Sequence, residues 1–285
     1  MVDVKVAVVQ MDPKLGEIQV NLQKTISFVQ EAGNNGANLI VFPECSLTGY
    51  CFENREDAER YALTIGDYWN QQLIDEAKKF NCYIVVGLVE RDGKNLYNSA
   101  LVIGPNGNKD IYRKSHLSEL GVDNFIETDH KPYSVIQTEF GKLGVLICYD
   151  IRFPEQARVL SLEGADVLVH ITNLPLTASS QVDILLPARA NENRVYVLSS
   201  DRVGEEQGYQ FLGRSIIYDI DGKVINEAND KDEMIIYANL DFKNSREKDV
   251  FYPPGPGKPG NHMNKLFKSR RPDLYSTLTK QHQNK

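Results

Sequence analysis

The chain has 285 residues, of which 41% are hydrophobic and 25% are charged, and its formal net charge is −7. This composition is ordinary for a folded globular protein, and no apolar run is long enough to cross a bilayer. Nucleic acids and anionic membranes attract clustered positive charge, so the negative balance argues against both as partners. The first residues lack the order of a signal peptide, which favours a cytoplasmic location.

Cysteine and histidine spacing gives no sign of a disulfide framework or a metal centre. The four cysteines form no CxxC pair and the five histidines form no HxxxH pair. We therefore expect free thiols, no bound metal and no cofactor.

The N-terminal segment reads as a β-α-β unit. Val4–Gln10 predicts a strand, apolar residues at three- and four-residue steps over 18–32 predict a helix, and 38–42 predicts a second, fully buried strand. A crossover helix implies parallel strands. Glu44 follows the second strand. Burial there would raise its pKa and make it a general base, although a lone glutamate in a loop is more commonly exposed.

The next segment predicts two helices, over 55–63 and 69–80, and then antiparallel strands. These strands, separated by two hairpin turns, cover 83–90, 96–103 and Lys109–Arg113. The last of them leads to Lys114, and a lysine at a strand end is usually solvated. The aperiodic segment 115–132 follows, and loops of that length tend to be functional.

Cys148 ends another buried strand. Strands are predicted over 133–138 and over the apolar run Lys142–Ile147, with a hairpin turn between them. Pro154 suits the first position of a helix. A thiol between a buried strand and a helix start is a candidate nucleophile. The alternative is a small hydrophobic side chain packed in the core.

The β-α-β order then returns, and antiparallel strands close the fold. The predicted helices and strands cover 154–164, 166–171, 180–193, 194–200, 215–220, 224–228 and Met234–Leu240. The helix over 180–193 is expected to be interrupted near Pro187, and a loop is expected over 204–208. Two such halves suggest two sheets packed face to face with helices outside, in one α/β domain over residues 1–250. Segment 253–257 is too rich in proline and glycine for regular structure, and 251–285 reads as an arm that packs on a partner subunit.

Three motifs carry a family resemblance. They are Val41-Phe42-Pro43-Glu44 with Thr48-Gly49-Tyr50, Tyr112-Arg113-Lys114-Ser115-His116-Leu117, and the run from Gly144 through Cys148 to Glu155. Together with 188–193 and 213–215, they resemble the carbon–nitrogen hydrolase family, the nitrilase superfamily. The resemblance implies a four-layer α-β-β-α sandwich and a catalytic triad of Glu44, Lys114 and Cys148.

The resemblance also implies a mechanism. Cys148 would attack a carbonyl carbon while Glu44 takes the thiol proton and returns it to the leaving nitrogen. Lys114 and the backbone N–H of Tyr149 would hold the oxyanion, and Glu44 would then activate water to hydrolyse the thioester.

Two residue assignments, the second glutamate and the catalytic base, each have an alternative. Many family members have a second glutamate after the lysine, and Glu119 is the choice here, with Glu127 as the alternative. A Cys-His dyad that uses His116 or His170 is the rival mechanism.

The residues after the nucleophile bear on the substrate. Tyr149-Asp150 and the continuation 152–155 resemble amidases, whereas true nitrilases tend to have Trp-Glu after the cysteine. We expect an amidase that releases ammonia from a small aliphatic or ω-amide. An N-carbamoyl compound is the alternative, weakened because Ile151 replaces the first of two successive arginines.

Tyr50, Tyr149 and Asn173 are the expected substrate-binding residues. The family commonly pairs its subunits through helices near the active site, so the expected assembly is a homodimer or larger. An interpretation of a different class is a catalytically weak scaffold whose Cys148 senses oxidants.

Overall fold

The structure is a computed structural model that describes residues 3–256, 260 and 262–281. In most strands, the side chains either alternate between buried and more exposed positions or are buried throughout, as the apolar runs predict. The strands up to residue 246 are β1 (Val4–Gln10), β2 (Leu39–Val41), β3 (Tyr83–Asp92), β4 (Asn95–Ile103), β5 (Lys109–Arg113), β6 (Ile136–Gln137), β7 (Lys142–Ile147), β8 (Val167–Thr172), β9 (Tyr196–Asp201), β10 (Glu205–Glu206), β11 (Tyr209–Gln210), β12 (Ile216–Tyr218), β13 (Val224–Glu227) and β14 (Met234–Leu240).

These strands form two six-stranded sheets and one small hairpin. The first sheet has the order β14-β1-β2-β3-β4-β5, the second has the order β13-β12-β9-β8-β7-β6, and β10 pairs with β11. The parallel centres are β1-β2-β3 and β7-β8-β9, and antiparallel strands extend both sheets. Each half therefore has the predicted β-α-β core.

Helices lie between the strands as the crossovers require. They are α1 (Ile18–Asn34), α2 (Arg55–Tyr61), α3 (Tyr68–Phe80), α4 (Pro154–Leu162), α5 (Leu186–Asn193) and α6 (Phe242–Arg246). Helix α4 begins at its proline, as predicted, because the first helical position needs no N–H donor. None of the described helices is long and apolar enough to span a membrane.

Two apolar cores give the fold its layers. Val6 and Val8 of β1 pack in the core shared with the second sheet, whereas Ala7 and Val9 pack in the core beneath α1 and α3. Successive side chains of a strand point to opposite faces, so one strand contributes to both cores. The order helix, sheet, sheet, helix confirms the predicted α/β sandwich.

Two local predictions were wrong in extent, and a third, the interruption of a helix near Pro187, is confirmed. The strand predicted over 133–138 is limited to the two residues of β6, which lies at the edge of the second sheet and pairs with β7. The helix predicted over 180–193 begins as a π turn, Gln181–Leu185, before α5, because Pro187 has no N–H to continue the regular ladder. The loop predicted after residue 203 contains the hairpin of β10 and β11.

The chain divides into two units after Arg246. The smaller unit contains β15 (Asp249–Tyr252) paired antiparallel with β16 (His262–Lys265), followed by two short 3-10 turns. The sequence places the division after residue 250, and its role as a subunit arm stays a prediction. Residues 257–259, 261 and 282–285, which belong to the predicted irregular segment and arm, lie outside the described residues.

Candidate active site

Lys114 is the centre of a buried ionic cluster. It follows β5, its side chain is fully buried, and its Nζ lies 2.8 Å from Glu44 Oε1 and 2.6 Å from Asp123 Oδ2. Its backbone N–H donates to the carbonyl of Asn98 on β4. A lysine at a strand end is usually solvated, but Lys114 is buried between two carboxylates.

Glu44 presents its two carboxylate oxygens differently. Oε1 accepts from Lys114 Nζ and, at 2.7 Å, from Asn98 Nδ2. The Asn98 amide is itself oriented, because its Oδ1 faces the Cys45 thiol and its Nδ2 also donates to Asp123 at 3.0 Å. Oε2 is buried and has no hydrogen-bond partner among the described residues. Glu44 thus keeps one oxygen free for proton transfer.

The second carboxylate beside Lys114 is Asp123, not the glutamate chosen from the sequence. Asp123 is buried in the 3-10 turn Gly121–Asn124, and its Oδ2 also accepts from the backbone and hydroxyl of Ser118. Glu119 is exposed. Glu127 accepts from Leu96 N–H at 2.8 Å and pairs with Arg55, so it anchors its loop elsewhere.

Close backbone packing places Glu44 beside the first sheet. A Cβ at Gly87 of β3 would lie 2.4 Å from Cys45 N and 2.5 Å from Pro43 O, so only glycine fits there. From the other side, Glu206 Oε1 accepts the N–H groups of Tyr50 and Cys51. The loop that carries Glu44 is therefore fixed at both ends.

Cys148 occupies a sharp turn at the end of β7. It begins the 3-10 turn Cys148–Arg152 with φ +47°, and its exposed fraction is 8%. Few non-glycine residues adopt this left-handed conformation. The turn is supported by Arg189, whose guanidinium donates to the carbonyl of Ile151 at 3.1 and 3.2 Å.

Asp150 joins this turn to the strand that carries Lys114. Its Oδ2 accepts from Ile147 N–H at 3.0 Å and from the Tyr112 hydroxyl at 2.7 Å. Its Oδ1 accepts from His116 N–H at 3.1 Å and lies 2.7 Å from His116 Nδ1. Tyr112 and His116 flank Lys114 in the chain, so one fully buried carboxylate links the two halves of the site.

The electrostatics favour a protonated thiol next to a strong base. Burial raises the pKa of Glu44, Lys114 opposes this effect and Asp123 adds to it. Burial and then the charge of Glu44 raise the pKa of the Cys148 thiol, against the influence of Lys114. Burial alone would lower the pKa of Lys114, but Asp123 and Glu44 outweigh it and the pKa rises. Lys114 is therefore cationic at neutral pH, and Cys148 needs a base.

The two histidines considered as rival bases are engaged elsewhere. His116 directs Nδ1 to Asp150 and stacks on Phe153 at a centroid distance of 3.8 Å. His170 directs Nε2 to the Cys148 carbonyl oxygen at 3.0 Å and Nδ1 to Ser199 Oγ at 2.9 Å. This geometry gives the Cys-His dyad no support.

The expected substrate-binding residues lie in three different environments. Tyr50 is buried below Lys114, with Nζ 5.8 Å from the ring centroid, and its hydroxyl donates to Leu120 O. Tyr149 is half-buried against the edge of Phe153. Asn173 is 1% exposed, and within the described chain neither polar atom of its side chain has a partner. A buried amide without partners can bind a polar group of a ligand.

No cluster of three or more His, Cys, Asp or Glu side chains with metal-binding geometry occurs in the part of the chain that the structure describes. All four cysteines are free thiols. Glu44 Oε1 and Asp123 Oδ2 both contact Lys114 Nζ.

The sequence reasoning missed Asn98, Asp123 and Asp150. Asn98 is a fully buried polar residue inside the apolar strand β4, and that contrast was a usable signal. Asp150 lies two residues after Cys148, and its position in the sequence indicates only a resemblance to amidases. Asp123 shares its loop with three other acidic residues, and no local pattern separates it from them.

The family comparison agrees with this geometry. The family model described as "Carbon-nitrogen hydrolase" matches residues 5–248. The chain belongs to the carbon–nitrogen hydrolase family. The predicted family and the expectation of an enzyme that hydrolyses carbon–nitrogen bonds are thereby confirmed.

Individual relatives cover nearly the whole chain. A nitrilase of Pyrococcus abyssi is 40% identical over 273 residues, which are 95% of this chain and 99% of that protein. An omega-amidase of Mus musculus is 31% identical over 91% of this chain and 92% of its own length. A citrullinase of Francisella tularensis is 30% identical over 99% of this chain and 100% of its own length.

The fold has solved counterparts. The crystal structure of Saccharomyces cerevisiae Nit3, a member of branch 10 of the nitrilase superfamily, superimposes with a TM-score of 0.77 at 29% identity. The superposition covers 86% of the present chain and 92% of the Nit3 chain. The predicted nitrilase-like sandwich is confirmed.

Proposed function

We propose that this hydrolase cleaves small aliphatic or ω-amides and releases ammonia through a thioester on Cys148. The observation that supports this most strongly is the buried cluster of Glu44, Lys114 and Asp123 within electrostatic range of the Cys148 thiol. The cluster holds a fixed positive charge, a carboxylate oxygen without a partner and a nucleophile.

Each group has one task in the first half of the reaction. Cys148 Sγ attacks the amide carbon while Glu44 Oε2 takes the thiol proton. Lys114 Nζ and the Tyr149 N–H stabilise the oxyanion. The C–N bond then breaks as Glu44 returns the proton to the nitrogen, so ammonia leaves and the acyl group remains on sulfur.

The second half consumes one water molecule. Glu44 removes a proton from water, and the resulting hydroxide attacks the thioester carbon. The C–S bond breaks, the thiol is re-formed with the proton held by Glu44, and the carboxylic acid leaves. The sum is amide plus water giving acid plus ammonia.

The names of the relatives indicate three substrate classes: amides, N-carbamoyl compounds and nitriles. Tyr149-Asp150 after the nucleophile favours amides over nitriles, and the relative from Mus musculus is named an omega-amidase. The relative from Francisella tularensis is named a citrullinase, which supports N-carbamoyl compounds as the second candidate. The relative from Pyrococcus abyssi is named a nitrilase, so nitriles belong in the test.

Ammonia release from matched amides, ureido acids and nitriles tests the proposal directly. We expect turnover of small amides, weaker turnover of ureido acids and least of nitriles, with none in Cys148→Ala. A bound acyl group of the substrate's mass on Cys148, trapped by acid quench, would support the thioester. Nitriles as the best substrates would overturn the amide proposal.

The alternative of an oxidant-sensing scaffold has little physical support. Peroxide reacts with thiolates that are accessible, whereas Cys148 is buried and its thiol pKa is raised. Ready formation of sulfenic acid at Cys148, together with no turnover of any substrate in the panel, would favour that alternative.

We also propose a homodimer in the cytoplasm. Val159 and Leu162 on α4, the helix that follows the nucleophile turn, are exposed apolar residues and could pack against a second copy. Light scattering at micromolar concentration should give the mass of a dimer or larger assembly, and a monomer would contradict this. Cell fractionation tests the location.

A further inference from the structure

His170 lies beneath the nucleophile and takes no part in the proposed proton transfers. It belongs to β8, is fully buried, and faces its register partner Ser199 on β9. Its Nε2 is 3.0 Å from the Cys148 carbonyl oxygen and its Nδ1 is 2.9 Å from Ser199 Oγ. A buried histidine with both nitrogens bonded has a defined orientation.

The two partners determine the tautomer. A carbonyl oxygen can only accept, so Nε2 must carry the proton and donate to Cys148. Nδ1 then accepts from the Ser199 hydroxyl. Burial lowers the pKa of His170 to about 4, which keeps the ring neutral at pH 7.

The hydrogen bond to Cys148 also orients Tyr149. The Cys148 carbonyl and the Tyr149 N–H belong to one peptide unit, which is planar and trans, so they point in opposite directions. When His170 fixes the oxygen, it fixes the direction of the N–H. A hydrogen bond to the carbonyl also polarises the peptide and strengthens the N–H as a donor.

This anchor matters because the local conformation is unfavourable. Cys148 has φ +47°, a conformation that L-residues with a Cβ disfavour. Asp150 accepts from Ile147 N–H, which belongs to the peptide between Leu146 and Ile147, and Arg189 donates to the carbonyl of Ile151. Between these anchors, His170 is the side chain that holds the peptide between Cys148 and Tyr149.

We propose that His170 is a positioning residue that aims and polarises the Tyr149 N–H toward the oxyanion formed on Cys148. The inference rests on the proposed function, because it assigns Tyr149 N–H to the oxyanion. His170 touches neither substrate nor the sulfur, and its effect passes through the shared peptide. Ser199 supports it by holding the tautomer.

The test compares two substitutions at one position. Gln places an N–H where histidine has Nε2, whereas Leu fills space without a donor. Loss of a whole oxyanion donor costs about 10²–10³ in kcat, so we expect His170→Leu to lower kcat by about 30-fold with KM changed less than about threefold. We expect His170→Gln to recover most of the loss.

A small aliphatic aldehyde inhibitor gives a readout that a purely structural role would not change. Its thiohemiacetal with Cys148 carries an oxyanion-like oxygen, so its Ki should rise in His170→Leu in parallel with the fall in kcat/KM. Binding of the unreacted amide, measured in the Cys148→Ala background, should stay the same. Val169→Ala, one residue away in β8 and fully buried, is the control: it should lower stability without changing the aldehyde Ki.

The outcomes separate this inference from the proposed function. Wild-type kcat and aldehyde Ki in a folded His170→Leu would overturn the inference, and amide turnover by the wild type would still stand. No amide turnover by the wild type, with aldehyde binding that still depends on His170, would overturn the amide proposal and support the inference. If His170→Leu does not fold, His170→Asn, whose amide is too short to reach, replaces it in the comparison with Gln.

Discussion

On the first sheet, Glu44 and Lys114 are held by hydrogen bonds between side chains, with Asn98 and Asp123 completing a buried network. On the second sheet, Cys148 is held through its backbone. Asp150, His170 and Arg189 bind peptide groups of the turn rather than the sulfur. We call the residues held by the first sheet the first half of the site and those held by the second sheet the second half. The first half thus fixes the positions of charged groups, and the second half fixes the direction of the proposed nucleophile and of the N–H beside it.

The difference follows from what each half must do. A proton acceptor and a cation must keep their ionisation states, so their partners are charged or strongly polar groups in a low-dielectric site. A nucleophile must keep its sulfur available to react, so the anchors of this turn bind its backbone. Substitutions in the first half should therefore alter pH dependence, and substitutions in the second half should alter kcat with little change in pH dependence.

Glu44→Gln breaks the first half most completely. Glutamine keeps the shape and can bind Lys114 through its oxygen, but it cannot accept the thiol proton, and a positioned general base contributes up to about 10⁴ in rate. We expect kcat to fall by about 10³-fold with a native circular dichroism spectrum. Glu53→Gln, at an exposed position, is the matched control and should keep full activity. Full activity in Glu44→Gln would remove Glu44 from the mechanism.

Asp123→Asn removes one of the two negative charges on Lys114. We expect kcat to fall by about 10²-fold, because the Lys114 ammonium that faces the oxyanion is less well held. Asp123 raises the pKa of Glu44, so its removal should move the acidic limb of the kcat profile to lower pH.

The comparison with Glu119→Gln decides which acidic residue completes the site. Glu119 is exposed, and its substitution should change neither kcat nor the acidic limb. If Glu119→Gln lowered kcat and Asp123→Asn did not, the sequence-based choice of Glu119 would be restored.

The sequence predicted the parts of this site that local patterns determine. The strands β1, β5, β7 and β14 have the predicted bounds because apolar runs end at turn residues, and the ends of β5 and β7 lead directly to Lys114 and Cys148. Asp123 could not be predicted, because its position depends on tertiary contacts with Lys114 across a loop without periodicity. The backbone anchors were also out of reach, since a hydrogen bond from His170 to a peptide 22 residues earlier leaves no mark on the sequence.

In the second half, His170 should make the free energy of unfolding, rather than the rate, depend on pH. The pKa of His170 is about 4 in the fold against 6.5 for an exposed histidine, so the unfolded chain binds more protons between these values. Stability is therefore full above about pH 6.5 and is lost as pH falls toward 4. Between pH 7 and pH 5 the loss amounts to about 2 kcal/mol.

Urea unfolding of His170→Gln at the two pH values isolates this contribution. The variant should lose about 2 kcal/mol less than the wild type, because glutamine does not titrate. An equal loss in both proteins would show that His170 is already protonated in the fold or accessible to water.

The smallest effect should come from the link between the halves. His116 is the partly exposed member of the Asp150 cluster, with a side chain 25% exposed, and its Nδ1 lies 2.7 Å from Asp150 Oδ1. Asp150 keeps Tyr112, Ile147 N–H and His116 N–H as donors when the ring is lost. We therefore expect His116→Ala to lower kcat only about fivefold, which corresponds to about 1 kcal/mol. This is less than the roughly 1.5–3 kcal/mol of a hydrogen bond to a charged group, because the other donors remain. His116→Asn, whose Nδ2 occupies the place of Nδ1, should restore most of it, whereas His130→Ala, at an exposed position, should change nothing. If Ala and Asn at position 116 were equally impaired, the stacking of His116 on Phe153 would be the contact that matters, and the link through Asp150 would not transmit position between the two sheets.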